Sequence, residues 1–243
     1  MVLEGALVSK SFGALKAVDE ITFRVDESEI VGLIGPNGAG KTTLFNLICG
    51  LMHPDQGTLK FYNHDITHLA PYEICNLGIT KIFQTPALFH NMTVLENVTV
   101  AACYGGRKSH KEARRNAPKY LNFLGLEKKC NESPESLNLF ERKLVEIARA
   151  LATGCKLLLL DEVLAGLTQV EVKEAVKMIR RIRDEFKISI FWIEHVMSAI
   201  REGTDRVIVM SYGKKIAEGN FEDISKDEKV IEAYLGTSIS RRD

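Results

Sequence analysis

The run Gly35-Pro36-Asn37-Gly38-Ala39-Gly40-Lys41-Thr42, continued by Thr43, follows the apolar stretch Ile30 to Ile34 and leads into a stretch with helical character. Glycines at this spacing let successive backbone N–H groups turn inward around phosphate oxygens, and the N-terminus of the following helix adds positive potential. Lys41 can then reach terminal phosphates, and the Thr42 hydroxyl is offered to magnesium. A strand before the loop and a helix after it are the setting in which such a match marks a phosphate site.

A second apolar run, Leu157 to Leu160, ends in Asp161-Glu162. Ligands of α/β proteins bind at the carboxyl edge of the sheet, so both carboxylates fall where a bound nucleotide would lie. Asp161 suits the magnesium shell, and Glu162 suits polarisation of an attacking water. Acidic residues at a strand end mean little alone. Beside a phosphate loop in the same sheet they are the expected second half of a nucleoside triphosphatase. Gln84 ends the run Ile79 to Phe83, and His195 ends the run Ile188 to Glu194, so both point to that same edge. Either one alone would read as a local cap.

The elements that must hold these residues alternate between two periods. Leu7 to Ser11 and Ile21 to Val25 read as a solvent-facing antiparallel pair, with Ile21, Phe23 and Val25 on one face. Ile30 to Ile34, Thr80 to Phe83, Leu157 to Leu160, Ile188 to Ile193 and Val207 to Met210 are short apolar runs, as expected for strands covered on both faces. Between them lie helices: Lys41 to Cys49 closes at Gly50, and Val170 to Phe186 carries Val172, Val176, Ile179 and Ile182 at helical spacing. Thr93 to Glu96, Ser109 to Glu112 and Thr168 to Glu171 have the form of capping boxes and predict three helix starts. The alternation predicts a mainly parallel α/β sheet.

Composition bounds what such a chain can be. Of 243 residues, 45% are hydrophobic, and 32 basic side chains balance 32 acidic ones. This is a folded globular composition, and zero net charge gives no electrostatic reason to expect nucleic acid as a partner. No apolar run approaches the ~20 residues needed to cross a bilayer. Met1 to Gly5 lacks the features of a secretory signal, so the expected location is the cytosol. Five scattered cysteines, Cys49, Cys75, Cys103, Cys130 and Cys155, lack zinc or dithiol spacing and are expected as free thiols. Between Gly105 and Leu137 the charge is locally basic, from Arg107 to Lys129. Without interleaved aromatic residues this stretch is read as a solvated helix face rather than a contact for anionic headgroups or an acidic partner.

With these motifs in this order, the chain resembles the ATP-binding subunits of ABC transporters over nearly its whole length. Gly35 to Thr42 is similar to the family's Walker A loop, Gln84 to its Q-loop glutamine, Asp161-Glu162 to its Walker B pair and His195 to its switch histidine. The resemblance implies a P-loop NTPase fold in which a mainly parallel core sheet carries an antiparallel β subdomain and an α-helical insert. Residues 1–84 and 153–243 would form the core, and residues 85–152 the helical subdomain. It implies that Phe12 stacks on adenine, that Asn37, Gly38, Ala39, Gly40, Lys41, Thr42, Thr43 and Gln84 hold ATP, and that Thr42, Gln84 and Asp161 hold Mg2+. Glu162, His195 and Lys41 would be catalytic.

Thr42-Thr43-Leu44-Phe45-Asn46, Phe83-Gln84-Thr85-Pro86, Met92 to Asn97 and the ending Glu232-Ala233-Tyr234-Leu235-Gly236 resemble the ATPases of branched-chain amino acid importers. The implied partners are transmembrane permease subunits, a second ATPase subunit and, indirectly, an extracytoplasmic solute-binding protein, with the chain peripheral on the inner face of the membrane. One segment departs from the family. Its Leu-Ser-Gly-Gly-Gln signature falls at Leu137-Asn138-Leu139-Phe140-Glu141, which lacks both glycines and sets a bulky Phe140 where close backbone approach is wanted. Val163-Leu164 and Thr168 also replace the usual Pro-Thr and Asp. The departure favours a heterodimer with a standard ATPase subunit over a homodimer, the other pairing open to it, and it leaves a weakly hydrolysing regulatory subunit as the alternative.

Overall fold

The structure, a computed structural model, describes residues 1–235, so Gly236 of the C-terminal pattern lies outside the described residues. Along the chain run β1 (Leu3–Phe12), β2 (Leu15–Val25), β3 (Ile30–Ile34), α1 (Lys41–Ile48), β4 (Gln56–Phe61), β5 (His64–Asp65), α2 (Pro71–Leu77) and β6 (Ile79–Ile82). The helices α3 (Val94–Tyr104), α4 (His110–Phe123) and α5 (Leu139–Ala152) follow. Then come β7 (Leu157–Asp161), α6 (Gln169–Phe186), β8 (Ser189–Ile193), α7 (Met197–Gly203), β9 (Arg206–Ser211), β10 (Lys214–Gly219), α8 (Phe221–Ile224) and α9 (Glu228–Leu235).

Two sheets result. The larger has the order β10-β9-β3-β8-β7-β6, parallel throughout except for the β9–β10 hairpin at one edge. The smaller, β2-β1-β4-β5, is antiparallel. This is the expected fold class, and β3, β7 and β8 are buried at every position as their unbroken apolar runs require.

β1 begins earlier than its alternation suggests, at Leu3. Leu7 sits at φ 50°, exposed, in a register shift between Gly5 and Val8, so the pattern inverts in mid-strand and hides the first half. The strand pair is not solvent-facing on both sides: Val8, Val18, Ile21, Phe23 and Val25 pack inward with the whole apolar face of α1. An eight-residue helix such as α1 is marginal alone, since isolated helices below about 12–15 residues hardly form. Leu44, Phe45, Leu47 and Ile48 are fully buried, each contributing roughly 1.5–3 kcal/mol, and this packing fixes the helix that begins at Lys41.

α3, α4 and α5 pack on one another and against the other face of the large sheet through Val98, Ala117, Leu121, Val145 and Ala148. The boxes at Thr93 and Thr168 form as expected, each hydroxyl accepting from the backbone N–H three residues on while the glutamate accepts from the cap. Ser109 makes only half of one: its hydroxyl accepts from the Glu112 amide, while Glu112 pairs with Lys108 instead. All five cysteines are free. Although scattered in sequence, Cys49 and Cys155 both lie within electrostatic reach of Cys75, and burial pushes the first two thiols up to about 12. The basic stretch lies on α4 and its flanks, with Lys111, Arg114 and Arg115 at the surface.

Candidate active site

The phosphate loop leaves β3 and turns into α1 through backbone that only glycine permits. A side chain on Gly40, at φ 98°, would collide with the carbonyl oxygen of Ala17 on β2, and one on Gly35 would collide with that of Met210 on β9. The loop is thus wedged between the two sheets. Lys41 is 5% exposed, and its Nζ donates to the carbonyls of Gly35 at 2.8 Å and Pro36 at 3.0 Å. Burial pushes the Lys41 ammonium below its ordinary value, opposed by the nearby carboxylates of Glu162 and Asp161.

A cleft of about 530 Å³ opens over the loop. Asn37, Gly38, Ala39, Gly40, Lys41, Thr42 and Thr43 line it together with Glu162 and with Phe12 and Leu15, which flank the β1–β2 turn. Two separate elements therefore bring Phe12 and the Glu162 carboxylate to one space. Tyr212, from the β9–β10 turn, also lines it. No motif reading singled out Tyr212; its only sequence signal is an aromatic residue beside Gly213 in a turn.

Gln84, Glu162 and His195 meet at the edge where three parallel strands end. Gln84 Nε2 donates to Glu162 Oε2 at 3.0 Å, and His195 Nε2 lies 2.5 Å from Glu162 Oε1. Glu162 reaches both because its backbone turns left-handed at φ 51°, directly after β7. Its amide is tied to the Ile193 carbonyl of β8 at 2.9 Å.

Asp161 points inward, where Lys81 Nζ pairs with its Oδ2 at 2.8 Å. Both side chains are buried, Lys81 also donates to Asn46 Oδ1 at 3.0 Å, and its ammonium lies 4.9 Å from the Phe83 ring centroid. One lysine therefore joins α1, β6 and β7 behind the cleft. A lysine inside the otherwise apolar end of β6 was the available clue.

The loop after Glu162 is held by two buried charges that no motif reading named. Glu194 accepts from the Leu164 amide at 2.8 Å through Oε1 and from the His195 amide at 3.0 Å through Oε2. Lys143 of α5 donates to the carbonyls of Val163 at 2.6 Å and Ala165 at 2.9 Å. Burial raises the Glu194 carboxyl above the usual range, opposed by these amides, and lowers the Lys143 ammonium, opposed by Glu194.

At the departing signature segment, Asn138 is the N-cap of α5. Its side chain accepts from the Glu141 amide at 2.8 Å, and Glu141 accepts from the Asn138 amide at 2.9 Å. The segment thus builds a capping box that its sequence also carries, in Asn-x-x-Glu form. Phe140 does not obstruct the helix start. It turns into the core beside Leu167, and the residue left at the surface is Leu139, 40% exposed, near Gly166.

Residues 18–165 match the ABC transporter family, and residues 214–239 match the branched-chain amino acid ATP-binding cassette transporter family. A probable branched-chain amino acid transport ATP-binding protein LivG of Archaeoglobus fulgidus is 36% identical over 250 residues, covering 98% of this chain and 97% of its own. The high-affinity branched-chain amino acid transport ATP-binding protein BraF of Pseudomonas aeruginosa is 33% identical, covering 97% and 98%. Among solved structures, MJ1267, an ATP-binding cassette of an ABC transporter in its ADP conformation, superposes with a TM-score of 0.88 at 33% identity, over 97% of this chain and 98% of the other. MJ0796, a bacterial ABC transporter cassette with a dimeric structure, gives a TM-score of 0.80 at 25% identity, over 90% and 98%.

Proposed function

The chain belongs to the ABC transporter ATP-binding cassettes, and from that membership we propose that it binds and hydrolyses ATP as a subunit of an importer of branched-chain amino acids. The observation that carries the reading is the convergence of Gln84 and His195 on Glu162, which itself lines the phosphate-loop cleft. A nucleotide-binding protein without hydrolysis would need the loop alone. Likeness over the full chain to LivG and BraF supplies the substrate class.

ATP would lie with its phosphates in the loop formed by Asn37 to Thr43 and its base toward Phe12. Lys41 leaves the loop carbonyls to meet the terminal phosphates. Glu162 takes the proton of the attacking water, and His195 stabilises charge developing on the γ-phosphate. Thr42, on the cleft, and Gln84, which donates through nitrogen to Glu162 and keeps its carbonyl oxygen free, would hold a magnesium ion with hard oxygen donors, whereas Asp161 would reach it only through Oδ1, because its Oδ2 pairs with Lys81. Bound there, Mg2+ would neutralise phosphate charge.

Residues 85–152 would act as the helical subdomain, moved through Gln84 against the remaining core, and would press on permease helices at the inner face of the membrane. Among the described residues no helix is long and apolar enough to cross a membrane, so the transport path is assigned to those permease subunits. We further propose that the chain pairs with a second ATPase subunit carrying a standard signature, because Leu139 occupies the exposed first turn of α5 where the family has glycine. An extracytoplasmic solute-binding protein would deliver the amino acid to the permease.

The test is ATP hydrolysis by the chain assembled with its permease subunits in vesicles. Stimulation by the loaded binding protein with leucine, isoleucine or valine supports the importer reading. Phosphate release unaffected by any of these overturns it.

A further inference from the structure

We propose that Tyr212 forms a second wall of the nucleotide base site, so that the base of ATP is held between the rings of Phe12 and Tyr212. The inference rests on the ATP reading above and adds a residue to it.

Tyr212 and Gly213 are the two residues of the turn between β9 and β10, at φ 47° and 79°. Two successive left-handed residues define the tight hairpin turn in which Asn, Asp or Gly normally comes first, because a Cβ is disfavoured there. A tyrosine in that position gains nothing from burial, since it is 91% exposed. Neither local backbone preference nor packing accounts for an aromatic ring at this site. Its place on the cleft does.

The turn is also held to the phosphate loop. Gly213 N donates to the Ala39 carbonyl at 3.1 Å, and its own carbonyl accepts from Asp19 N of β2 at 2.8 Å. A side chain on Gly213 would press on the Lys16 carbonyl at 2.7 Å, so the turn lies directly on β2. The turn that carries Tyr212 is therefore fixed relative to the phosphate loop on one side and to the strand leading back to Phe12 on the other. Both aromatic residues border the same cleft, from separate hairpin turns. A purine has two π faces, and each can stack on an aromatic ring. Lys16, from the start of β2, lines the cleft near both turns.

The test compares ATP with inorganic tripolyphosphate, each with Mg2+, by calorimetric titration of the full chain and of Tyr212→Ala and Tyr212→Phe. Loss of one stacking face should weaken ATP binding about ten-fold in Tyr212→Ala. Tripolyphosphate, which has no base, should bind that variant as it binds the wild type, and Tyr212→Phe should restore ATP affinity. Wild-type affinity for ATP in Tyr212→Ala overturns the proposal. So does a parallel loss of ATP and tripolyphosphate, which would assign Tyr212 to the turn's conformation rather than to the base. A wild-type chain that binds neither ligand would overturn the ATP reading itself.

Discussion

Glu162 Oε1 and His195 Nε2 lie 2.5 Å apart although 33 residues separate them in the chain. Gln84 takes the other oxygen of the same carboxylate at 3.0 Å. Both oxygens of the proposed base are thus engaged by side chains from the two flanking strand ends, which fix the carboxylate's orientation while each oxygen keeps a second lone pair for a water. Glu194 holds the His195 backbone and the loop after Glu162 together, so the pair is supported from behind as well.

Replacing Glu162 with Gln keeps the size and hydrogen-bonding reach of the side chain but removes its basicity. ATP affinity should stay near wild type while turnover of the assembled complex falls by about 10²–10⁴. Nucleotide titration and phosphate release, measured on the same sample, check this. Turnover at the normal rate would remove Glu162 from the role of base.

Lys41→Ala acts on the other side of the cleft. The ammonium now bonded to the Gly35 and Pro36 carbonyls is the charge expected to meet the terminal phosphates. Its loss should abolish measurable ATP binding in titration, with thermal unfolding of the ligand-free protein reported alongside.

Lys81→Ala would leave Asp161 buried without its partner. Breaking a buried pair from one side costs about 3–5 kcal/mol. Urea unfolding should show a loss of that order. A loss within error would mean that water reaches the pair and screens it.

Restoring glycine at Phe140 should not repair the signature segment. Phe140 packs into the core, and truncating a large core side chain costs about 3–5 kcal/mol, less where the ring is only partly buried. Leu139→Gly removes the residue that stands in the open. In the assembled complex it should raise hydrolysis where Phe140→Gly lowers stability, as measured by phosphate release and melting temperature.

Glu171 caps α6, and its bonds to the Thr168 amide and hydroxyl hold its carboxyl below the usual range. A carboxyl lowered in the folded state contributes stability that is full above its unfolded value and is lost as pH falls through its folded value. Glu171→Ala should therefore be less stable than wild type at neutral pH, with the difference closing on acidification. Unfolding midpoints across that range read it directly.

The sequence by itself determined the parallel core and the phosphate loop, because those signals are local. A fully apolar four-residue run such as Leu157 to Leu160 has few alternatives to a covered strand, and Gly35 to Thr42 encodes its own backbone. It also determined Gln84, Asp161, Glu162 and His195 as strand-end residues on one edge. It did not reveal the first half of β1, since the bulge at Leu7 inverts the alternation on which strand reading depends. Only the tertiary structure decided how the strand-end residues meet, that Lys81 neutralises Asp161 and that Lys143 and Glu194 fix the loop between them. A buried charge leaves no period and no spacing in sequence, because its partner is chosen by which strands become neighbours. The same holds for Tyr212, which becomes part of the cleft only when the β9–β10 turn folds onto Ala39 and Asp19.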